Sequence, residues 1–533
     1  MKYLFKNTKI VSTFGPAITK GFNTEADRTN PALADSLSEV LATINELIYS
    51  GINCVRFNFS HGSTEEQLIR SKLIGMAQEK IIAAQTGNKY RFVRPIVFMA
   101  DTKGPEIRVY KMEASEGVVY EIGDEINIYC IEKVVGNKDG FSVLDSTGRY
   151  NMANDCVVGN TILVEDGKLS LEILEVNKDK GLVKVRVKNR HILKANKRIN
   201  LPGADYSMDF LSEKDISDIK FAVDNGFEYI ALSFVNSKEN IQDVKKLILS
   251  YSKEKAVTSN LRVISKIETL KSCENIDEII DESDAIMIAR GDLGLEIPYY
   301  QVPYWTKEII KRCRLKNKPV IVATQMLDSL EKNVVPTRAE VSDVYRAAEL
   351  GSDCTMLSGE TAQGLFPVIA VKTMCEIVYE SEGRFDNERA LAQFKENSLL
   401  KFSPNTKKLC EDLMKMLATN DDIGAVLTMS GTVTEEFMEA VAAMRLEIPL
   451  FNFIKTEKLE SACAIASFSC PIYRATRLEL ATALHRSINP VFTEGLFSSA
   501  DLPAIFKEFH SFFVKGSFFN KKVVYLDGGT WRV

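Results

Sequence analysis

The chain has 533 residues, of which 45% are hydrophobic and 26% are charged, and this length is sufficient for several packed cores. Its 72 acidic and 67 basic residues give a formal net charge of -5, which excludes an overall basic field for nucleic acid or an anionic membrane. No window reaches the roughly 18 apolar residues of a membrane span, and the N-terminus lacks the apolar run of a signal peptide. We therefore expect a multidomain cytoplasmic protein that holds any anionic ligand in a local pocket.

The ten cysteines and four histidines show no metal-binding spacing. The cysteines are scattered from Cys54 to Cys470 without a CxxC pair. We expect them to be reduced thiols in an intracellular protein.

Eight short apolar runs, rich in β-branched residues and ending in polar residues or glycine, recur along the chain. They are the segments 9–15, 53–60, 95–104, 228–235, 262–268, 285–292, 319–326 and 354–360. Segments with helical periodicity separate them, and Ser212 and Thr337 are expected to cap two of these helices. Continuous apolar runs are typical of parallel strands that are buried on both faces. The pattern predicts the α/β class and a (β/α)8 TIM barrel.

Two further regions depart from this alternation. In 109–201 helical periodicity disappears, and the alternating segments 169–176 and 182–188 predict an antiparallel β domain inserted after the third strand. After 385, apolar runs at 425–431, 448–454, 470–475 and 521–528 predict a C-terminal α/β domain. The predicted domains are 1–108 and 202–385 for the barrel, 109–201 for the inserted β lid, and 386–533 for the C-terminal α/β domain. The polar segment 20–36 is expected to be an exposed loop.

Candidate functional residues lie where the barrel strands are predicted to end, because the chemistry of such barrels takes place at the carboxyl ends of the strands. The charged or hydroxylated residues at these ends are Arg56, Asn58, Ser60, Asp101, Thr102, Arg108, Lys266, Glu268, Asp292, Thr324, Ser358 and Glu360. A purely structural core would seldom collect so many charges.

Glu268 and Asp292 are predicted to end neighbouring strands, where two carboxylates suit Mg²⁺. Either carboxylate alone would more often belong to a salt bridge. Two carboxylates cancel one Mg²⁺, which leaves Lys266 and Arg56 to meet a phosphate or carboxylate substrate. Gly291 lies at a strand-to-helix junction, where its backbone N–H can approach an anion or where it is a plain turn glycine.

The tripeptide 290–292 also matches an adhesion motif, but it is short, common and follows a predicted buried strand. Arg290 is instead expected to pair locally. The oxygens of Asn58, Ser60, Asp101 and Thr102 are more typical of a monovalent cation site than of a zinc site.

Nine motifs in chain order resemble those of pyruvate kinase. They occupy the segments 8–17, 51–62, 101–108, 200–203, 264–268, 288–298, 323–329, 336–344 and 356–364. The resemblance implies a phosphotransferase that moves the phosphoryl group of phosphoenolpyruvate to ADP, giving ATP and pyruvate in the last step of glycolysis. It also implies Mg²⁺ or Mn²⁺ and K⁺ as cofactors, and a cytoplasmic homotetramer.

The same resemblance implies a role for each candidate residue. Mg²⁺ is bound by Glu268 and Asp292, and K⁺ by Asn58, Ser60, Asp101 and Thr102. The catalytic residues are Lys266, Thr324 and Arg56, and the substrate is bound by Arg56, Lys266, Gly291, Asp292 and Thr324. The nucleotide is bound by Asn58, His61, Arg108 and Lys197. Glu106, Ser358 and Glu360 support the residues that bind the ligands.

Three features refine this reading. Glu106 predicts dependence on K⁺, because relatives with lysine there supply the missing positive charge themselves. Arg198 follows Lys197 where glycine is more usual, and the segment 20–36 is longer than the usual first loop.

Two alternatives remain. A magnesium-dependent phosphoenolpyruvate/pyruvate lyase on a related barrel would not need Arg108 and Lys197. A non-catalytic regulatory relative would be expected to have lost one of the residues Lys266, Glu268, Asp292 and Thr324.

Overall fold

The computed structural model describes residues 6–256, 259–397, 400–420, 422–456, 482–495, 497–513 and 520–533. Among the helices in these ranges, none is long and apolar enough to cross a membrane. The eight cysteines that lie in the described ranges are buried and free of disulfides.

Eight parallel strands in the described chain close into a barrel, in which each strand pairs with its neighbours in sequence order. They are β1 (Lys9–Thr13), β2 (Cys54–Asn58), β3 (Val97–Asp101), β4 (Tyr229–Leu232), β5 (Arg262–Ile267), β6 (Ala285–Ala289), β7 (Val320–Ala323) and β8 (Cys354–Leu357). Each lies within one of the predicted apolar runs, and the predicted fold class is confirmed.

Alternate residues of the barrel strands enter two different hydrophobic clusters. On β6, Ile286 and Ile288 belong to a large cluster that includes helix residues, whereas Ala285 and Met287 belong to a smaller one with Ile321 of β7. Successive side chains of a strand point to opposite faces. Both faces of the barrel wall are therefore buried, which explains the continuous apolar runs.

Helices follow the barrel strands, and two of them begin with the predicted caps. They are Ala34–Ser50, Thr64–Ala83, Glu213–Asp224, Lys238–Glu254, Leu270–Glu274, Ile276–Glu282, Arg290–Glu296, Val302–Leu315, Arg338–Glu349, Gly359–Ala362 and Pro367–Glu382. The Ser212 side chain accepts from the Asp215 N–H, and the Thr337 side chain accepts from the Glu340 N–H. Both are reciprocal capping boxes.

The segment 20–36 contains local helical structure, so its prediction as a loop was wrong. A helix spans Glu25–Thr29, and Thr24 and Asp27 form a capping box at its start. The long helix Ala34–Ser50 begins inside the same segment. A five-residue helix is too short to produce apolar periodicity, and the cap was the signal available in the sequence.

The inserted region forms its own small barrel, closed by seven strands among the described residues. These are Ile107–Val109, Glu125–Tyr129, Gly140–Asp145, Thr161–Val164, Leu169–Asn177, Leu182–Val187 and Arg198–Asn200. A separate pair joins Val118–Tyr120 to His191–Leu193. The pairing is antiparallel, as predicted, except that Glu125–Tyr129 runs parallel to Gly140–Asp145. We call this region the lid.

The C-terminal region is built on a six-stranded sheet, counted over the described residues. Its strands are Arg91–Val93, Ile423–Met429, Leu450–Thr456, Ile488–Glu494, Lys522–Asp527 and Thr530–Arg532, and its helices are Asn387–Glu396, Pro404–Ala418, Glu435–Met444 and Leu502–Phe513. The predicted run 470–475 lies outside the described residues.

One strand of this sheet comes from the barrel half of the sequence. Arg91–Val93 precedes β3 and pairs antiparallel with Ile488–Glu494. On its other side the buried Gln85 side chain completes the pairing: its Nε2 donates to the Phe92 carbonyl (2.7 Å), and its Oε1 accepts from the Phe92 N–H (2.8 Å). Gln85 therefore takes the place of a further strand at the sheet edge.

Replacing Gln85 by alanine is expected to destabilise the protein by roughly 2–4 kcal/mol, because it leaves two buried backbone groups of Phe92 without partners. Thermal unfolding followed by circular dichroism measures the change. Lys80→Ala, at an exposed position of Thr64–Ala83, is the control and is expected to stay within about 0.5 kcal/mol of the parent. Equal melting temperatures for the two variants would show that Gln85 does not hold this strand.

Candidate active site

A buried lysine organises the carboxyl ends of β3, β4 and β5. Lys266 Nζ contacts Asp101 Oδ1 at 3.1 Å, Ser233 Oγ at 2.7 Å and Glu268 Oε1 at 3.0 Å. Asp101 also accepts from Arg56 Nε at 2.6 Å. The structure thus brings four residues predicted from the sequence into one hydrogen-bonded ion cluster.

The charges of this cluster support one another. Against the effect of burial, Asp101 and Glu268 raise the pKa of Lys266 above its ordinary value. Against the same effect, Arg56 and Lys266 lower the pKa of Asp101. Lys266 is therefore a fixed positive charge at the barrel mouth, since buried charges persist only with partners of opposite sign.

Glu268 and Asp292 lie beside the cluster, but they are held differently. Glu268 follows β5, and its Oε2 accepts from the Phe234 N–H at 2.8 Å. The prediction that Asp292 ends a strand was wrong: β6 ends at Ala289, and Asp292 lies in the first turn of the helix Arg290–Glu296. The helical turn begins there because Arg290 and Gly291 bond back to the turn after β7.

The pKa values of Glu268 and Asp292 are shifted in opposite directions. Burial raises the pKa of Glu268, and the neighbouring Asp292 adds to this effect. For Asp292, Arg198 and Lys266 lower the pKa against the effect of burial. Arg198, a lid residue whose Nη1 contacts Asp292 Oδ1 at 2.5 Å, thus keeps the Asp292 carboxylate charged.

The turn after β7 is held in an unusual backbone conformation. Thr324 has φ +66 and Gln325 has φ +53, and a β-branched residue in the left-handed region is a genuine outlier. Thr324 Oγ1 accepts from the Gly291 N–H at 2.7 Å, so this N–H has a partner. Arg290 Nη2 donates to the Thr324 carbonyl at 2.8 Å, and its Nη1 contacts Asp343. The prediction that Arg290 pairs locally is confirmed.

The four residues predicted to hold a monovalent cation lie on adjacent strand ends. Asn58 and Asp101 are register partners on β2 and β3. Asn58 Oδ1 accepts from the Ser60 N–H at 3.0 Å, and Thr102 Oγ1 donates to the Ala231 carbonyl at 3.3 Å.

The residues predicted to bind the nucleotide have partners within the lid or near it. Arg108 Nε donates to Glu106 Oε2 at 2.9 Å, and Lys197 Nζ contacts Glu165 Oε1 at 2.8 Å. Burial and the nearby Arg108 lower the pKa of His61.

Ser358 directly follows β8, whereas Glu360 lies in the short helix Gly359–Ala362 and not at the strand end as predicted. The two Glu360 oxygens accept from the N–H groups of Leu327 and Ser358, at 3.0 and 2.6 Å. Burial raises the pKa of Glu360. This carboxylate therefore ties the segment after β7 to the end of β8.

Sequence reasoning did not indicate three contacts of the site, those made by Ser233, Phe234 and Arg198. Ser233 follows β4 and was available as a hydroxyl at a strand end, whereas Phe234 contributes through a left-handed backbone (φ +59) that no pattern indicates. The contact of Arg198 with Asp292 joins residues 94 positions apart and depends on how the lid docks.

The carboxylates fit a divalent cation of the magnesium type. Within the described residues there is no group of three or more His, Cys, Asp or Glu side chains that could hold a metal ion. Glu268 and Asp292 supply hard oxygens, and Mg²⁺ is commonly bound through one or two carboxylates together with substrate phosphates and water.

The fold and the site are those of a barrel enzyme with a buried charge cluster at the strand ends, beneath a β lid. The family model for the pyruvate kinase barrel domain matches residues 5–371. Pyruvate kinases of Mycoplasma pneumoniae and Mycoplasma genitalium are each 45% identical, over 78% and 74% of this chain and 79% and 74% of the relatives. The crystal structure of a pyruvate kinase from Cryptosporidium parvum superposes with a TM-score of 0.78 at 26% identity, covering 99% of this chain and 95% of that one. The chain belongs to the pyruvate kinase family and is a phosphotransferase.

The buried Glu296, one helical turn beyond Asp292, predicts a pH-dependent stability. Its Oε1 accepts from Asn200 Nδ2 (2.9 Å) and from the Tyr206 hydroxyl (3.2 Å), and burial raises the pKa of Glu296 to about 7. A raised carboxyl pKa means that the folded state prefers the protonated form. The stabilising contribution is therefore present below the unfolded pKa of about 4.3 and is lost as the pH rises through 7.

Glu296→Gln is expected to remove this dependence. Relative to the parent, the melting temperature of the variant should rise between pH 5 and pH 8, by an amount corresponding to at most roughly 3 kcal/mol. Glu254→Gln, at an exposed position, should follow the parent at every pH. Parallel curves for Glu296→Gln and the parent would contradict the prediction.

Proposed function

We propose that this chain transfers the phosphoryl group of phosphoenolpyruvate to ADP and so forms ATP and pyruvate in the last step of glycolysis. The observation that carries the proposal is the position of Lys266, a fixed buried cation next to the carboxylates Glu268 and Asp292. Phosphoryl transfer requires little covalent chemistry from the protein, and positioned charges provide most of the catalysis.

In this proposal two carboxylates bind the metal ion, and two positively charged side chains contact the phosphoryl group of the substrate. Glu268 and Asp292 hold Mg²⁺ or Mn²⁺, which when bound acts as a Lewis acid toward the substrate oxygens. Lys266 neutralises negative charge on the phosphoryl group, and Arg56 binds the substrate phosphate. Asp101 fixes the Lys266 ammonium and the Arg56 guanidinium, because it accepts a hydrogen bond from each of them.

The turn after β7 orients the remaining part of the substrate. In this proposal Gly291 and Asp292 offer backbone donors to its carboxylate, for which the Gly291 N–H exchanges its bond to Thr324 Oγ1 for one to the substrate. Thr324 lies on the route by which the enolate carbon gains a proton. The Thr324 hydroxyl is held between the Gly291 N–H and the Ala323 carbonyl, each at 2.7 Å. These fixed contacts support a defined position for the hydroxyl.

A potassium ion and the nucleotide complete the proposed site. K⁺ is bound by Asn58, Ser60, Asp101 and Thr102. The nucleotide phosphates are contacted by Asn58, His61, Arg108 and Lys197, with Glu106 held against Arg108. Ser358 and Glu360 keep the end of β8 in place behind the site.

Exposed aromatic and aliphatic residues support self-association, which we propose produces a homotetramer in the cytoplasm. Tyr299, Tyr300 and Tyr304 expose 79%, 69% and 59% of their surface, and Val334 and Val335 expose 54% and 69%. Exposed clusters of large apolar residues are typical of protein interfaces.

Lys266→Met is expected to lower kcat by at least about 10²- to 10³-fold, because it removes the charge that stabilises the phosphoryl group in the transition state. The measurement is pyruvate and ATP formation from phosphoenolpyruvate, ADP and Mg²⁺, with circular dichroism to verify folding. Lys271→Met, which changes a half-exposed lysine five residues further on, is the matched control and should keep parental activity.

Two outcomes would refute the mechanism: an inactive parent, or a folded Lys266→Met variant with unimpaired activity. A parent that forms no ATP from phosphoenolpyruvate and ADP, but releases pyruvate by Mg²⁺-dependent carbon–carbon cleavage of a longer 2-oxo acid, would instead favour the lyase. A parent that binds phosphoenolpyruvate but turns over nothing would favour the regulatory relative.

Replacing K⁺ by Na⁺ in the same assay is expected to reduce activity strongly, because Glu106 leaves the site without the lysine that replaces K⁺ in some relatives. Ionic strength is held constant with the two chloride salts, so that general screening does not change. Equal rates in the two salts would exclude a potassium requirement.

A further inference from the structure

Arg198 belongs to the lid, but its guanidinium lies at the barrel mouth. It begins the lid strand Arg198–Asn200, and its Nη1 contacts Asp292 Oδ1 at 2.5 Å. The side chains of Arg198 and Asp292 expose only 18% and 23% of their surface. Charge-assisted pairs that are shielded in this way are much stronger than surface pairs.

The surroundings of Arg198 satisfy only part of its hydrogen-bonding capacity. The guanidinium lies over the Phe234 ring, 4.9 Å from the centroid, and the Phe234 N–H holds Glu268. The Nη2 atom of Arg198 is buried and lacks a hydrogen-bond partner among the described residues. An unpaired buried donor is costly unless a ligand supplies an acceptor.

Two lid contacts join the same strand to the same helix. Arg198 and Asn200 are two residues apart on a strand, and their partners Asp292 and Glu296 are four residues apart on a helix. Both spacings place side chains on one face. The Asn200 contact lies a full helical turn beyond Asp292, so it can hold the lid strand while the Arg198 contact changes.

The barrel mouth is electrically balanced with Arg198 in place. Arg56, Lys266 and Arg198 face Asp101, Glu268 and Asp292, three cations against three carboxylates. A divalent cation at Asp292 would contend with the guanidinium for the same carboxylate and would repel it. Coulomb repulsion at such short distances is large in a partly buried site.

We propose that Arg198 competes with the divalent cation for Asp292, so that docking of the lid through this residue and cation binding oppose each other. The inference rests on the proposed function, since it takes Asp292 as a cation ligand. Without the cation, the guanidinium neutralises Asp292 and adds a second lid contact to that of Asn200. With the cation, the guanidinium is released and can bind an anionic group of the substrate. Arg198 thereby couples the lid to the state of the site.

The test is direct Mn²⁺ binding without substrate, followed by the electron paramagnetic resonance signal of free Mn²⁺. Arg198→Met keeps the aliphatic length and removes the charge, and it is expected to bind Mn²⁺ about tenfold more tightly than the parent. The control is Lys168→Met, which removes one positive charge from an exposed lid turn without touching Asp292 and should bind like the parent. Mn²⁺ should also raise the melting temperature of Arg198→Met more than that of the parent.

Unchanged Mn²⁺ affinity in Arg198→Met would overturn the inference, and weaker affinity would show that Arg198 positions Asp292 for the cation instead. If Arg198→Met does not fold, Arg198→Lys replaces it. That variant keeps the charge but loses the planar stacking on Phe234, and it is expected to bind about threefold more tightly than the parent. Equal affinity would again overturn the inference. A parent that binds no Mn²⁺ at all would refute the proposed cation site itself.

Discussion

The ion pair between Lys266 and Asp101 is the contact on which the architecture of the site depends. It belongs to a continuous series of contacts among the ends of β1, β2, β3 and β5, through Thr13, Arg56, Asp101, Lys266 and Glu268. Each member is buried or nearly buried, so each needs its neighbour to compensate for lost hydration. A shift of any one strand along the barrel axis would leave a charge without its partner. The same charges that we propose for the chemistry therefore also fix the register of the barrel mouth.

The repeating part of this structure could be predicted from the sequence. Each barrel strand is a continuous apolar run because both of its faces are buried, and its end is marked by the polar residue that leaves the core. Lys266 and Glu268 were found in this way. The same logic placed Asp292 on a strand, but a strand end and the first turn of a helix have similar local patterns. The hydrogen bonds from Arg290 and Gly291 to Thr324, in the turn after β7, favour the helical turn over a longer strand.

The remaining part depends on contacts that a linear pattern does not contain. The backbone of Phe234 supports Glu268 because it adopts a left-handed conformation, and Thr324 does the same beside Gly291. Such conformations cost roughly 1–3 kcal/mol each and persist where the surrounding contacts determine them. Arg198 reaches Asp292 because a separate folded unit carries it there. Backbone strain and the docking of the lid depend on the complete folded structure. The periodicity of the sequence therefore predicts neither of them.

The strand Arg91–Val93 has a consequence for how the chain can be divided. It completes the C-terminal sheet although more than 300 residues separate it from its partner Ile488–Glu494. A fragment beginning at 386 would expose the backbone groups of that partner strand along an open edge, and open edges invite pairing with other chains. The fragment is therefore expected to aggregate, and circular permutants that keep 85–93 joined to the C-terminal half should express in better yield. Recombination that transferred the C-terminal unit alone would leave this strand behind.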